Sequence, residues 1–243
     1  LIADGVFMAL SRQKTGDIYV QSVDLKPSDV AVTLFPTLIM PMDQIVQSAL
    51  FESLKTIAIN NIAITYQDFL SRRNWVIDGA GLVLKKQGAA LSLDVSMGLL
   101  AGGADYASLR LGIERQIGES AAQFDVAFED LPAQDMASQL PFFAWLNAVE
   151  GPISGAISGA IDGSGALGAL SVSLQVKQGV VRPNETAVPI QFESAQTYFT
   201  YDPLDRRLEF DQIKVLGSDV SFLGQGYAAL EMNEAWPDSL FGQ

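Results

Sequence analysis

Apolar and polar residues alternate with a period of two from one end of the chain to the other, the pattern of strands that turn one face away from water. The clearest run is Ala89, Leu91, Leu93, Val95, Met97 and Leu99, set against Ser92, Asp94, Ser96 and Gly98. Leu109, Leu111 and Ile113 alternate with Ser108, Arg110 and Glu114, and Phe124, Val126 and Phe128 with Gln123, Asp125 and Glu129. An earlier run begins at Trp75 and Ile77 and reaches Val83, which predicts Asp78 and Ala80 on the opposite face. Two later runs are Leu170, Val172, Leu174 and Val176, then Val188, Ile190 and Phe192.

The breaks carry turn chemistry. Lys85-Lys86-Gln87-Gly88 supplies a glycine for positive φ at a hairpin. Asp202-Pro203-Leu204-Asp205 presets a turn between a Tyr198–Tyr201 strand and a Leu208–Phe210 strand, because proline fixes φ. Asp78-Gly79 and Asp162-Gly163 read as turns as well. Strands one turn apart pair antiparallel. Two short helices are expected beside them. Asp43 caps one whose apolar face is Ile45, Val46, Ala49, Leu50 and Leu54. The other runs from Asp135 through Met136 and Leu140 into a new turn at Pro141 that carries Phe143, Trp145 and Leu146. Each is expected to plug a sheet end or edge.

Gly151, Gly155, Gly159 and Gly163 recur every fourth residue among Ile153, Ile157 and Ile161. Small residues at that spacing mark packed membrane helices, yet the uncharged run is far shorter than the roughly 20 residues a span needs. The same spacing puts all of them on one strand face, so the stretch is expected to be a strand that another layer approaches closely. The pattern as a whole predicts an all-β fold: an antiparallel meander forming a curved open sheet or groove, or else a sandwich, with two short helices. It divides into a β-rich segment over 1–131, with a helix near 43–54, and a second over 132–243, with a helix near 135–146.

Composition narrows the chemistry. Hydrophobic residues make up 49% of the 243 and charged residues 18%, which excludes disorder. A mean hydropathy of +0.22 requires much apolar surface to be buried or held for an apolar ligand. Fifteen Lys and Arg are scattered among twenty-eight acids, for a net charge of −13. That balance excludes a nucleic-acid partner and disfavours electrostatic docking on anionic bilayers. Any lipid is met through apolar contacts. The chain has no Cys and no His, so disulfide scaffolds, Cys/His zinc sites and imidazole-dependent nucleophiles are excluded. Absence of thiols fits an oxidising compartment. Leu1 opens directly into mixed apolar sequence with no basic leader, which reads as the middle of a longer pattern and predicts a segment of a longer protein.

An enzyme built from these residues has only carboxylates to work with. Glu209 and Asp211, two apart on one expected strand, would share a face as the acid pair of a β-sheet glycosidase does. Such enzymes add a third acid three residues on, where this chain has Lys214, and three Trp make a thin sugar platform. A solvated strand face is the expectation, and no catalytic residue, metal site or cofactor is assigned. Asp78-Gly79 and Asp162-Gly163 lack the clustered oxygens of a calcium loop, and Gly163–Gly168 lacks a phosphate-loop lysine. The basic pairs Arg72-Arg73 and Arg206-Arg207 belong at strand ends, on a solvated rim.

Two stretches resemble the AsmA-like superfamily, whose large members are described as bridge-like lipid-transfer proteins. The first is Leu54-Lys55-Thr56-Ile57-Ala58-Ile59-Asn60-Asn61-Ile62-Ala63-Ile64-Thr65-Tyr66-Gln67-Asp68. It is followed by Trp75-Val76-Ile77 and Gly88-Ala89-Ala90-Leu91-Ser92-Leu93. This is similar to that superfamily's rhythm of a strand, an Asn turn, a strand ending near Asp, and a return strand. The second runs from Gly151-Pro152-Ile153-Ser154-Gly155 through Asp162-Gly163-Ser164-Gly165 to a strand ending in Gln178-Gly179-Val180-Val181. Pro189-Ile190, Tyr201-Asp202, Arg207-Leu208-Glu209-Phe210 and a closing strand near Gly224-Gln225-Gly226 complete it. The resemblance covers roughly residues 54 to 230. The first fifty residues match less, and no anchor helix is present.

The resemblance implies a fragment of a long periplasmic protein anchored in the inner membrane, with an apolar groove along which phospholipid acyl chains pass toward the outer membrane. The expected partners are therefore a phospholipid or other acyl-chain lipid, the inner membrane through the parent protein, and other envelope proteins. The residues expected to line the apolar strand face are Ile57, Ile59, Leu91, Leu93, Val95, Leu109, Leu111, Phe124, Val126, Val172, Leu174, Ile190 and Phe192. A closed sandwich would produce the same alternation. It would make the chain a structural or assembly module for outer-membrane protein biogenesis, with no lipid.

Overall fold

The computed structural model describes residues 1–14, 18–21, 54–69, 72–100, 106–139, 141–182, 184, 186–218 and 221–230. Among them the chain is mostly β-strand with two short helices. It falls into two compact units. Among the described residues one comprises Leu1–Phe124 with Ala160–Leu167, the other Asp125–Gly159 with 168–230. The helix expected near 43–54 lies outside the described residues.

The first unit holds β1 (Ile2–Arg12), β2 (Ile18–Gln21), β3 (Thr56–Asp68), β4 (Arg73–Gln87), β5 (Ala90–Leu100) and β6 (Tyr106–Gln116). They form one open layer in the order β2-β1-β3-β4-β5-β6. From β3 to β6 it is the expected antiparallel meander. The departure is β1, which pairs parallel with β3. The β4–β5 loop is two residues, with Gly88 at φ 62 in its first position. That is the glycine a tight hairpin requires.

Bulges reset the alternation in the middle of this sheet. The Asn60-Asn61 pair, expected as a turn, lies inside the single strand β3, with Asn61 at φ 53 and the register with β4 shifted there. Asn tolerates this left-handed conformation better than most residues, and Asn61 Nδ2 donates to Asp4 Oδ1 at 2.7 Å. Asp78-Gly79 is likewise a bulge within β4 rather than a turn between strands, with Gly79 at φ 67. The extra residue returns Ala80 to the face of Trp75 and Ile77, where it is 1% exposed. Val83 lands on the other face, opposite Asp94. Both corrections to the expected run have one cause: an inserted residue exchanges the faces of everything after it.

The second unit holds most of β7 (Ala122–Pro132), then α1 (Ala133–Ala137), a 3-10 helix (Pro141–Ala148), β8 (Val149–Glu150) and most of β9 (Pro152–Ile161). It continues with β10 (Leu170–Val176), β11 (Gly179–Val181), β12 (Ile190–Phe192), β13 (Ser194–Asp202), β14 (Arg207–Leu216) and β15 (Ser221–Ala229). The helix expected over 135–146 is two short pieces, with Pro141 opening the second as anticipated. β9-β10-β13-β14-β15 run in that order, antiparallel throughout. β8, β11 and β12 form a separate small sheet. The strand expected to end at Val181 therefore stops at Val176, and Gly179–Val181 pairs elsewhere.

The glycine-isoleucine stretch is strand β9. A Cβ at Gly155 would collide with the Ser173 carbonyl oxygen and stand 3.0 Å from Phe128 Cζ, but these belong to β10 and β7, the neighbours of β9 within the sheet, and not to another layer; Gly151 and Gly163 lie outside the strand. Aromatic rings close this unit's apolar face. Phe142 stacks on Tyr201 at 4.8 Å, Phe143 meets Phe199 edge-on at 6.4 Å, and Trp145 sits edge-on to Phe210 at 6.3 Å. The 3-10 helix therefore packs on a sheet face, where the sequence suggested a plug at an end or edge.

Candidate functional site

Residues directly opposite one another in a sheet share a face, so the registers give the apolar face of the first unit row by row. Ile57, Leu84, Leu93 and Ile113 make one row. The next is Ala3, Ile59, Leu82, Val95 and Leu111. Val6, Ile62 and Ala80 follow, with Met97 and Leu109 beside them on β5 and β6. A further row is Met8, Ile64, Ile77, Leu99 and Ala107. None of these side chains is polar. Many are only half-buried, among them Val6, Met8, Ile57, Ile59, Ile64 and Leu93. The opposite face carries Lys85, Ser92 and Glu114 in one row and Asp4 beside Asn60 in another.

Seven of the expected lining residues, Ile57, Ile59, Leu91, Leu93, Val95, Leu109 and Leu111, come together on this face. Phe124 joins them through the cluster of Ile113, Ala122 and Ile161, against which Leu93, Leu111 and Phe124 pack. The other five do not. Val126 belongs to the second unit. Val172 and Leu174 lie buried in that unit's core, opposite Phe199 and Thr197. Ile190 and Phe192 lie in the small sheet, where Ile190 is 51% exposed and Phe192 is buried. Alternation alone could not separate these cases, because it reports a face and never what covers it.

Both ends of the apolar face are polar. At one end Leu91 stands between Lys86 and Arg115. At the other end come Tyr66 and Trp75, then Arg12 and Asp68. Arg12 Nη1 donates to Asp68 Oδ2 at 3.4 Å, with the two side chains 3% and 0% exposed. Burial, and then the Asp68 charge, hold the Tyr66 phenol above its ordinary range. The charge and hydrogen bond of Arg12 offset part of that rise.

The sequence reading missed this polar end. Its signal was parity: Arg12 and Asp68 each fall on the apolar side of their runs, following Leu10 and Tyr66. Bringing them together takes a parallel pairing between residues 56 apart, which no local pattern announces.

β14 is bulged at Asp211: Glu209 faces Thr200 and Gln212 faces Tyr198, and Asp211 falls between them with no cross-strand partner in the register. Arg207 instead stacks over the Tyr227 ring at 4.5 Å. Compared with protein-family models, characterised proteins and solved structures, the chain matches none.

Proposed function

We propose that the chain is a non-catalytic, lipid-binding and lipid-conducting segment of a periplasmic protein of the AsmA-like type. Its parent is anchored in the inner membrane and moves phospholipid between inner and outer membranes. The observation that carries this reading is the uninterrupted apolar face of the first unit, polar only at its ends, on which Ile57, Ile59, Leu93, Val95 and Leu111 are half-buried while Ile62, Ile77, Leu84, Leu99 and Ile113 are buried. Each acyl methylene buried there contributes about 0.8 kcal/mol. No charge within the rows pins the chain at one place, so a lipid held by many weak contacts is free to slide.

The test is mass spectrometry of organic extracts of the purified protein, alongside melting curves, for wild type and two variants. Leu93 is half-buried on the face, one row in from Leu91, and packs against two apolar clusters. Leu93→Asp should leave the fold intact and strip bound lipid. Asp94→Asn, one residue away on the polar face, removes an exposed pair with Lys85 worth less than about 1 kcal/mol and should change neither. If wild type carries no lipid and Leu93→Asp unfolds the chain, the face is an internal core. The aromatic closure of the second unit then favours the other reading, a spacer or assembly module for outer-membrane proteins.

A further inference from the structure

We infer that β15 is the contact strand of a homodimer, in which two copies of this chain pair antiparallel through their β15 edges about Gln225. Among the described residues β15 ends the run β13-β14-β15, and no strand pairs with its outer side. Natural sheets protect such an edge with charge, proline, bulges or short length. The nine residues of Ser221–Ala229 include no charged residue and no proline. Leu223 and Tyr227 are 71% and 72% exposed, and Phe222 is exposed as well. The part of β1 that β2 leaves uncovered is protected by contrast: it carries Asp4 and, at φ 77, Gly5, which the register with β3 skips.

The backbone fixes which atoms β15 can offer. The Leu230 N–H donates to the Arg206 carbonyl at 2.9 Å. Successive N–H and C=O groups of a strand point to opposite sides within the sheet, so those of Ala229, Tyr227, Gln225, Leu223 and Ser221 turn away from β14. The bulge in this pair lies in β14 and leaves the alternation of β15 intact.

A second copy supplies the matching edge. Antiparallel pairing about Gln225 is the register that joins all nine residues, and it sets each outward-pointing residue opposite another, so that every outward N–H meets a carbonyl. Directly opposite residues share a face. On one face Leu223 meets Tyr227 of the second copy, and Tyr227 meets its Leu223, so the two most exposed apolar side chains of the strand cover each other twice. On the other face Phe222 lies opposite Ala228 and Gly224 opposite Gly226. A Cβ at Gly224 would lie 2.6 Å from the Phe222 ring, so the ring lies across the glycine, and the small residues facing it leave it room. A second copy brings this match by symmetry. Nine residues a side is under the about 20 of a stable interface, so the dimer forms and dissociates with concentration.

Sedimentation velocity of the full chain over a wide concentration range should show a monomer–dimer equilibrium. Gln225→Pro removes an N–H that points away from β14, at a position where an edge strand accepts proline. It should weaken the dimer at least about tenfold, through two hydrogen bonds lost at the axis, and leave the melting midpoint unchanged. The chain has no Cys, so single cysteines report the register. Gln225→Cys should give a disulfide-linked dimer on mild oxidation, because that residue faces itself. Tyr227→Cys should not, since its two copies stand four residues apart, about 13 Å along the strands. A chain that stays monomeric at every concentration overturns the proposal and leaves the edge to the strand of another protein. A dimer that Gln225→Pro leaves intact, or that Tyr227→Cys crosslinks as readily as Gln225→Cys, overturns it as well. If Gln225→Pro fails to fold, the two cysteine variants decide.

Discussion

Arg12 and Asp68 hold opposite charges out of water at the edge of a face that is otherwise apolar. Such a pair contributes little over an apolar replacement, but losing one partner strands the other. Arg12→Met should therefore lower stability by about 3–5 kcal/mol in urea denaturation, and adding Asp68→Leu should recover most of it. Tyr66 supplies a pH dependence beside them. Its folded pKa is raised, chiefly by burial, so the protonated phenol favours the folded state. That contribution is complete below the ordinary phenol pKa and is lost as pH rises through the raised folded value. Tyr66→Phe should flatten part of the alkaline fall in stability, measured as denaturation midpoint against pH. Tyr201, raised mainly by burial too, keeps the remainder. None of this was visible from residue types alone, because an Arg or Asp at the end of an alternating run is more often solvated.

Among the elements, strands were the legible part. Period-two alternation is a property of neighbouring residues, and β5, β6, β10 and β13 follow it directly. Bulges were not legible. Asn60-Asn61 and Asp78-Gly79 carry the residues a turn would use, since a bulge and a turn ask for the same left-handed backbone. Only pairing with neighbouring strands decides between them. The 3-10 helix was half legible: Pro141 and the aromatic residues marked a plug, while the partners Phe199, Tyr201 and Phe210 came from strands far along the chain. Phe143 is 0% exposed, so Phe143→Ala should cost about 3–5 kcal/mol. The readout is the chemical-denaturation midpoint. If the apolar face of the first unit is a separate binding surface, lipid bound per folded molecule should not change.

For the molecule as a whole, the net charge of −13 sets how it would respond to an anionic bilayer. Like charges repel, and salt screens the repulsion over about 8–10 Å near physiological ionic strength. Cosedimentation with anionic vesicles should therefore rise, not fall, as salt is added. Binding to zwitterionic vesicles should respond little. A basic docking patch would give the opposite slope.

The sequence by itself determined the β class, the positions of most strands, the helical turn that opens at Pro141 and the exclusion of chemistry that needs imidazole or thiol. All of these follow from local periodicity, local backbone preference or composition. The tertiary structure alone decided how deeply each apolar side chain is buried. Val172 and Leu93 look alike in their runs, yet one lies in a closed core and the other is half-exposed on the apolar face of the first unit. It also decided that β1 lies parallel to β3, bringing Arg12 to Asp68, and that β14 is bulged at Asp211. Alternation assigns each side chain to a face. What lies against that face depends on contacts between residues distant in the chain, and those are set only when the strands pair.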